Sequence, residues 1–214
     1  MDQINLEAIG QYFNALSQKA PAEWEHLPDI GLYMDQVVTY LERQLEIFMK
    51  TDDDSLITPS MINNYAKAKI VPRTEGKKYG QEHIALLLTV FTLKRVLSVQ
   101  DMGALIGNIG GAEEIEEFYG RFRRGMEHSV GETAASVRRA LCGATDTEAA
   151  IDGKTLRSLA LELAVDASMR SHAAEMLLAF ASPEKGVIDE KGAAKGKKEK
   201  TARKREKKDK KDSA

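Results

Sequence analysis

Apolar residues recur at helical rather than strand spacing through nearly the whole chain. Residues 3–18 place Ile4, Leu6, Ile9, Phe13 and Leu16 on one stripe, and residues 32–49 repeat the pattern with Val37, Val38, Tyr40, Leu41, Leu45 and Phe48. Between them APAEWEHLPD (20–29) is a proline-bracketed connector, whose Trp24 is expected to pack on the first helix. The run TDDDS (51–55) ends the second helix in a polar loop. Thr58 is a good N-cap and Pro59 suits the first helical position, where a missing N–H costs nothing, so a third helix is expected to run to about Lys69 and to stop before Pro72. PRTEGKKYG (72–80) reads as a small wing or turn. Residues 81–97 are apolar almost all round, as a central helix would be. Ser98 with Asp101 makes a capping box for a helix through Ile106, which GNIGG (107–111) breaks.

Further on, residues 113–126 carry acids in the first turn and Arg121, Arg123 and Arg124 in the last, matching a helix dipole. Ser129 with Glu132, and Thr145 with Glu148, predict further helix starts, and Cys142 precedes Gly143 at a helix end. A final helix is expected over residues 147–181, with Gly153 a kink or break. Strand-like alternation is marginal and confined to 70–79. The predicted class is all-α.

Composition bounds this picture. A chain of 214 residues suits one domain with a helical appendage. It has no run of 18 apolar residues to span a membrane, and MDQINLEAIG lacks the basic and apolar regions of a secretory signal. Its one cysteine rules out an internal disulfide framework and a multi-cysteine zinc site. The expectation is a soluble, cytoplasmic protein with no membrane partner.

The formal charge of −2 is an average over unlike regions. Residues 184–214 hold 13 Lys and Arg against 7 Asp and Glu, and KGKKEKTARKREKKDKKDSA has no aromatic side chain and no aliphatic one larger than alanine. That composition predicts a disordered Lys-rich tail. The other 183 residues hold 18 basic and 26 acidic side chains. Within them, Lys67, Lys69, Arg73, Lys77 and Lys78 face only Glu75 between residues 58 and 80, a local +4. An acidic body with one basic face repels DNA everywhere except at that face.

Catalysis finds little support. His26, His83, His128 and His172 lack metal-ligand spacing, and His83 beside Tyr79 reads as a structural hydrogen bond. Cys142 has no nearby base, the glycines of 107–111 follow no strand, and Asp52, Asp53 and Asp54 lack the alternation of a calcium loop. No cofactor, metal or catalytic residue is expected. The segment 57–106 carries more. The helix from Thr58 offers Ser60, Asn63, Asn64, Tyr65, Lys67 and Lys69 as a surface suited to a major groove, where Asn bonds adenine, Tyr bonds phosphate and Lys adds charge. Arg73, Lys77, Lys78 and Tyr79 would hold flanking phosphates. The plainer reading of these residues is a polar, solvated helix face.

The stretch TPSMINNYAKAKIVP (58–72) with KKYGQEHIALLLTVFTLKRVLSVQDMGALI (77–106) resembles the N-terminal DNA-binding region of MerR-type regulators. The resemblance rests on Tyr65, Ile70-Val71-Pro72, Tyr79, Gln81-Glu82 and the Ser98–Asp101 helix start. It implies a helix-turn-helix with a wing closed by Tyr79. Including LPDIGLYMDQVVTYLERQL (27–45), residues 20–130 more closely resemble the uncharacterised YkrK-like bacterial family, which implies a MerR-like regulator. The chain departs from the MerR pattern where Asn63 replaces an arginine, Asn64 a tyrosine and Lys69 a helix-ending glycine, and its wing is shorter. With no cysteine-rich loop, thiolate metal sensing is excluded.

The expected organisation is an N-terminal helix and connector (1–26), a MerR-like helix-turn-helix DNA-binding region (27–110), a helical region for dimerisation or effector binding (111–183) and the tail (184–214). The expected function is a bacterial transcriptional regulator binding double-stranded DNA sequence-specifically as a homodimer, since one short recognition helix reads few base pairs. The alternative is a helical protein-interaction adaptor that keeps the fold as scaffold, its partner surface on 112–181. The sequence names no small-molecule effector.

Overall fold

The apolar stripes fold as helices. A computed structural model describes residues 5–48, 57–74, 76–107, 109–145 and 152–181, and these are helical apart from turns and one isolated β-bridge. In chain order they form α1 (Leu6–Ser17), α2 (Met34–Leu45), α3 (Pro59–Lys67), α4 (Gln81–Leu93), α5 (Val99–Ile106), α6 (Ala112–Thr145) and α7 (Gly153–Ala181), with 3₁₀ turns at Trp24–His26 and Glu46–Phe48. The all-α class is what the periodicity predicts. The acidic loop 51–55 and the Lys-rich tail fall outside the described residues, as does Glu148 of the expected Thr145–Glu148 helix start, while Thr145 itself ends α6.

α4 carries the core. Every residue from Ile84 to Phe91 is buried, so over two turns the helix has no solvent face. The one hydroxyl in that run is satisfied within the helix, Thr89 Oγ1 donating to the Ala85 carbonyl at 3.0 Å. α2 and α6 both pack on α4, and α6 also packs on α1. α2 brings Val37, Leu41 and Leu45 to the core at intervals of four. Each such side chain contributes about 1.5–3 kcal/mol by leaving water.

Three local expectations give way to tertiary packing. α6 is one helix of 34 residues, without the break and restart expected around Ser129 and Glu132. Ser129 sits in mid-helix, its carbonyl accepting from Thr133 Oγ1 at 2.8 Å. Tyr119, Ala134 and Val137 are buried on either side of it, so packing holds the helix through a local start signal. The three arginines consequently lie within α6 rather than at a helix end. Arg123 reaches the connector, its Nε donating to the Pro21 carbonyl at 3.1 Å and its guanidinium meeting Glu23 at 3.0 Å and Glu127 at 3.5 Å. Tyr119 Oη donates to the Ala22 carbonyl at 2.7 Å, and the Trp24 ring lies 6.3 Å from the Tyr119 ring, an α6 partner where the first helix was expected. Burial raises the Tyr119 hydroxyl pKa, Tyr40 nearby adds to the rise and Arg123 opposes it. The kink or break expected at Gly153 is the start of α7, with Asp152 as its cap.

Contacts divide the chain into two units, residues 1–171 and 172–214. In the first, Ser171 Oγ donates to the Val96 carbonyl at 2.8 Å. The described part of the second is the helical stretch to Ala181, on which Leu177 and Phe180 are exposed. Among the described residues no helix is long and apolar enough to cross a membrane.

Candidate functional site

α3 is set by its ends. Thr58 caps it, its hydroxyl accepting from the Met61 N–H at 3.3 Å, and Pro59 takes the first helical position. Ile62 and Tyr65, three residues apart, turn inward, and Ile57, Ile70 and Val71 are buried at either end. The exit is tight. The N–H groups of Ile70 and Val71 both donate to the Tyr65 carbonyl, at 3.0 and 3.4 Å. Lys69 adopts φ +59°, the left-handed conformation that a helix-ending glycine usually supplies. Lysine therefore takes the glycine's conformation as well as its place, at a steric cost of about 1–2 kcal/mol.

The outward face of α3 carries Ser60, Asn63, Asn64 and Lys67, all exposed, and Lys69 is exposed just beyond it. Arg73, Lys77 and Lys78 of the following loop are exposed as well. Asn63, Ala66, Lys67 and Arg73 line one groove of about 280 Å³ between the helix and that loop. Eight of the ten expected site residues thus present themselves to solvent on one segment.

Tyr65 and Tyr79 do not. They are 9 % and 6 % exposed, where a surface position and a phosphate contact were expected. The Tyr65 ring packs edge-on against Phe91 of α4 at 5.7 Å, and the Tyr79 ring against His83 at 5.7 Å. The physical reason is spacing, since Tyr65 shares the inward face of α3 with Ile62. Burial raises both hydroxyl pKa values. These tyrosines fasten the polar face to the core.

The loop is fastened at its far end too. Tyr79 and Leu32 exchange both backbone hydrogen bonds, at 2.8 and 2.9 Å, in one antiparallel bridge. Local sequence held no signal of this pairing between residues 47 positions apart. Its consequences include an approach so close at Gly31 that a Cβ there would lie 3.0 Å from Lys78 Cβ. Lys78 Nζ then rests 5.5 Å above the ring of exposed Tyr33, a neighbour of the cationic face that sequence reasoning missed. His83 caps α4, its Nδ1 accepting from the Gly80 N–H at 3.2 Å, which makes it structural as expected. Its Nε2 is buried with no partner within hydrogen-bond distance. Burial lowers its pKa below 6.5, outweighing the opposite influence of the Arg73 carbonyl and the Glu82 carboxylate.

A second concavity of about 560 Å³ lies along α2 and the segment before it, with Asp29, Asp35, Tyr40 and Arg43 among its lining. Among the described residues no group of three or more His, Cys, Asp or Glu could hold a metal ion. The Cys142 side chain and Asp52–Asp54 lie outside what is described.

Residues 22–122 match the family described as "Domain of unknown function (DUF1836)". The match covers just under half of the chain, from the connector into α6, and so includes α3, the loop and α4. It lies within residues 20–130, the stretch expected to resemble an uncharacterised family. No curated protein and no solved structure matches the chain.

Proposed function

We propose that this protein is a cytoplasmic bacterial transcriptional regulator, akin to the YkrK-like family, that binds double-stranded DNA through a MerR-like helix-turn-helix. In this reading α2 and α3 are the helix pair, α3 enters the major groove and the loop 72–80 is a short wing. The observation that carries it is the common groove of Asn63, Lys67 and Arg73, with Ser60, Asn64, Lys69, Lys77 and Lys78 exposed around it. Asn63 reads a base edge and the cations meet phosphates. Tyr65 and Tyr79 hold the helix and wing in register from inside and leave the phosphates to Arg73, Lys77 and Lys78. Two copies on paired half-sites supply the sequence information that nine helical residues lack. A second reading, an adaptor for another protein, draws on the exposed apolar side chains of α7.

Selection of genomic DNA by the full chain at physiological salt tests the proposal. The expected result is one inverted-repeat motif, and Asn63→Ala should relax preference at one base pair by about 1–3 kcal/mol while leaving the other positions read. Recovery of unrelated sequences, or a loss from Asn63→Ala that is uniform over all DNA, would sink it.

A further inference from the structure

The outward face of α3 has a narrow chemical inventory. Beyond Pro59, its exposed positions are Ser60, Met61, Asn63, Asn64, Lys67 and the capping Ala68. None is an arginine and none carries a carboxylate, and PSMINNYAK as a whole lacks both. In a major groove that absence selects, because arginine is the commonest reader of guanine and a carboxylate accepts from the cytosine amino group. Spacing divides the face into two strips. Asn63 and Lys67, four apart, lie toward the loop and share a groove with Arg73. Met61, Asn64 and Ala68, at intervals of three and four, form the other strip. Met61 is 37 % exposed, a large apolar side chain left outside while Ile62 and Tyr65 turn inward.

Position along the helix gives these side chains different work. A recognition helix meets base edges with its N-terminal residues, which in α3 are Ser60, Met61, Asn63 and Asn64. Lys67 stands in the last turn beside Arg73, among the cations that meet phosphates. The amides match adenine, which offers one acceptor and one donor side by side. Met61 offers a base no strong donor or acceptor. Its flexible thioether chain gains by covering carbon, and the thymine C5-methyl is the one methyl group that a base pair projects into the major groove. Adenine and thymine share a pair, so the two demands agree. We infer that α3 reads A·T pairs, with Met61 packed on a thymine methyl group and a neighbouring asparagine on adenine. The inference rests on the DNA-binding reading above and adds to it the bases sought and a further residue that reads them.

Selection from random-sequence duplex DNA by the full chain at physiological salt should return half-sites made mainly of A·T pairs. Deoxyuridine is then placed at each selected thymine in turn, which removes the C5-methyl group and keeps the base pair. At one thymine of a half-site the wild type should bind about fourfold more weakly, the worth of one methyl group covered from water. Met61→Ala should fold normally, because the side chain lies outside the core. It should bind the thymine site more weakly and make no distinction there between thymine and uracil. Met61→Leu, which keeps the apolar bulk, should retain the distinction. Half-sites dominated by G·C pairs, a wild type indifferent to every uracil, or a uracil penalty that survives in Met61→Ala would overturn the inference and leave the regulator reading standing. Recovery of no motif at all would overturn both.

Discussion

α4 and α7 are both rich in leucine, and the structure treats them as opposites. Ile84–Phe91 of α4 is buried without interruption, enclosed by α2 and α6, whereas α7 has no fully buried side chain. A helix with little polar face announces that it needs covering, and its own sequence does not say by what. For α4 the cover comes from the same chain, so its apolar residues act in folding. For α7 the cover is partial, with Leu156, Leu159 and Leu163 half-buried and Leu161, Val165 and Met169 left exposed.

The largest effect that could break this contrast is a leucine deletion in each helix. Leu87→Ala in α4 leaves a cavity among fully buried neighbours and should destabilise the fold by about 2–5 kcal/mol. Leu161→Ala in α7, measured by urea unfolding in protein dilute enough to be monomeric, should change stability by less than about 0.5 kcal/mol. Comparable costs at the two sites would mean that α7 is covered by its own chain.

The contrast also marks how much was legible beforehand. Periodicity fixed the helical class, and the caps at Thr58 and Ser98 placed the starts of α3 and α5, because a cap is a bond within one turn. Lys67, Arg73, Lys77 and Lys78 were readable as an exposed cationic group from charge alone. The misreadings lie where distant residues decide. Tyr65 looked like a groove residue until Phe91, 26 positions on, claimed its ring. Ser129 looked like a helix start until burial of Tyr119 and Val137 carried α6 through it. Trp24 and Tyr119 meet across 95 positions, and no local pattern encodes that pairing.

A smaller effect separates the helices at their N-termini. α4 is capped by a half-buried histidine whose Nδ1 must be unprotonated to accept the Gly80 N–H. Because burial depresses its folded pKa, the unfolded chain binds the proton more readily. His83 therefore contributes its full stability above about pH 6.5, and that contribution is lost as pH falls below 6.5 toward the lower folded value. His83→Gln should flatten the decline in stability as pH falls below about 6.5. A decline of the same steepness in the variant would assign it to other groups.

The smallest effect is at α7. Its cap, Asp152, is fully exposed, its Oδ1 accepting from the Thr155 N–H at 2.8 Å and from the Thr155 hydroxyl at 2.9 Å. Those bonds, with Lys154 close by, hold the carboxyl below 3.8, so the cap is intact above that value and is lost as pH falls through the depressed one. The pH window of α7 thus lies well below that of α4, and no protonation of Asp152 accompanies the loss of the His83 contribution. Asp152→Ala should speed hydrogen exchange at the Thr155 amide and fray the first turn while leaving the unfolding midpoint where it was, because α7 contributes no buried side chain to the cooperative core. A variant whose midpoint fell together with that exchange would tie α7 into the same cooperative unit as α4, and the opposition between the two helices would then rest on exposure alone.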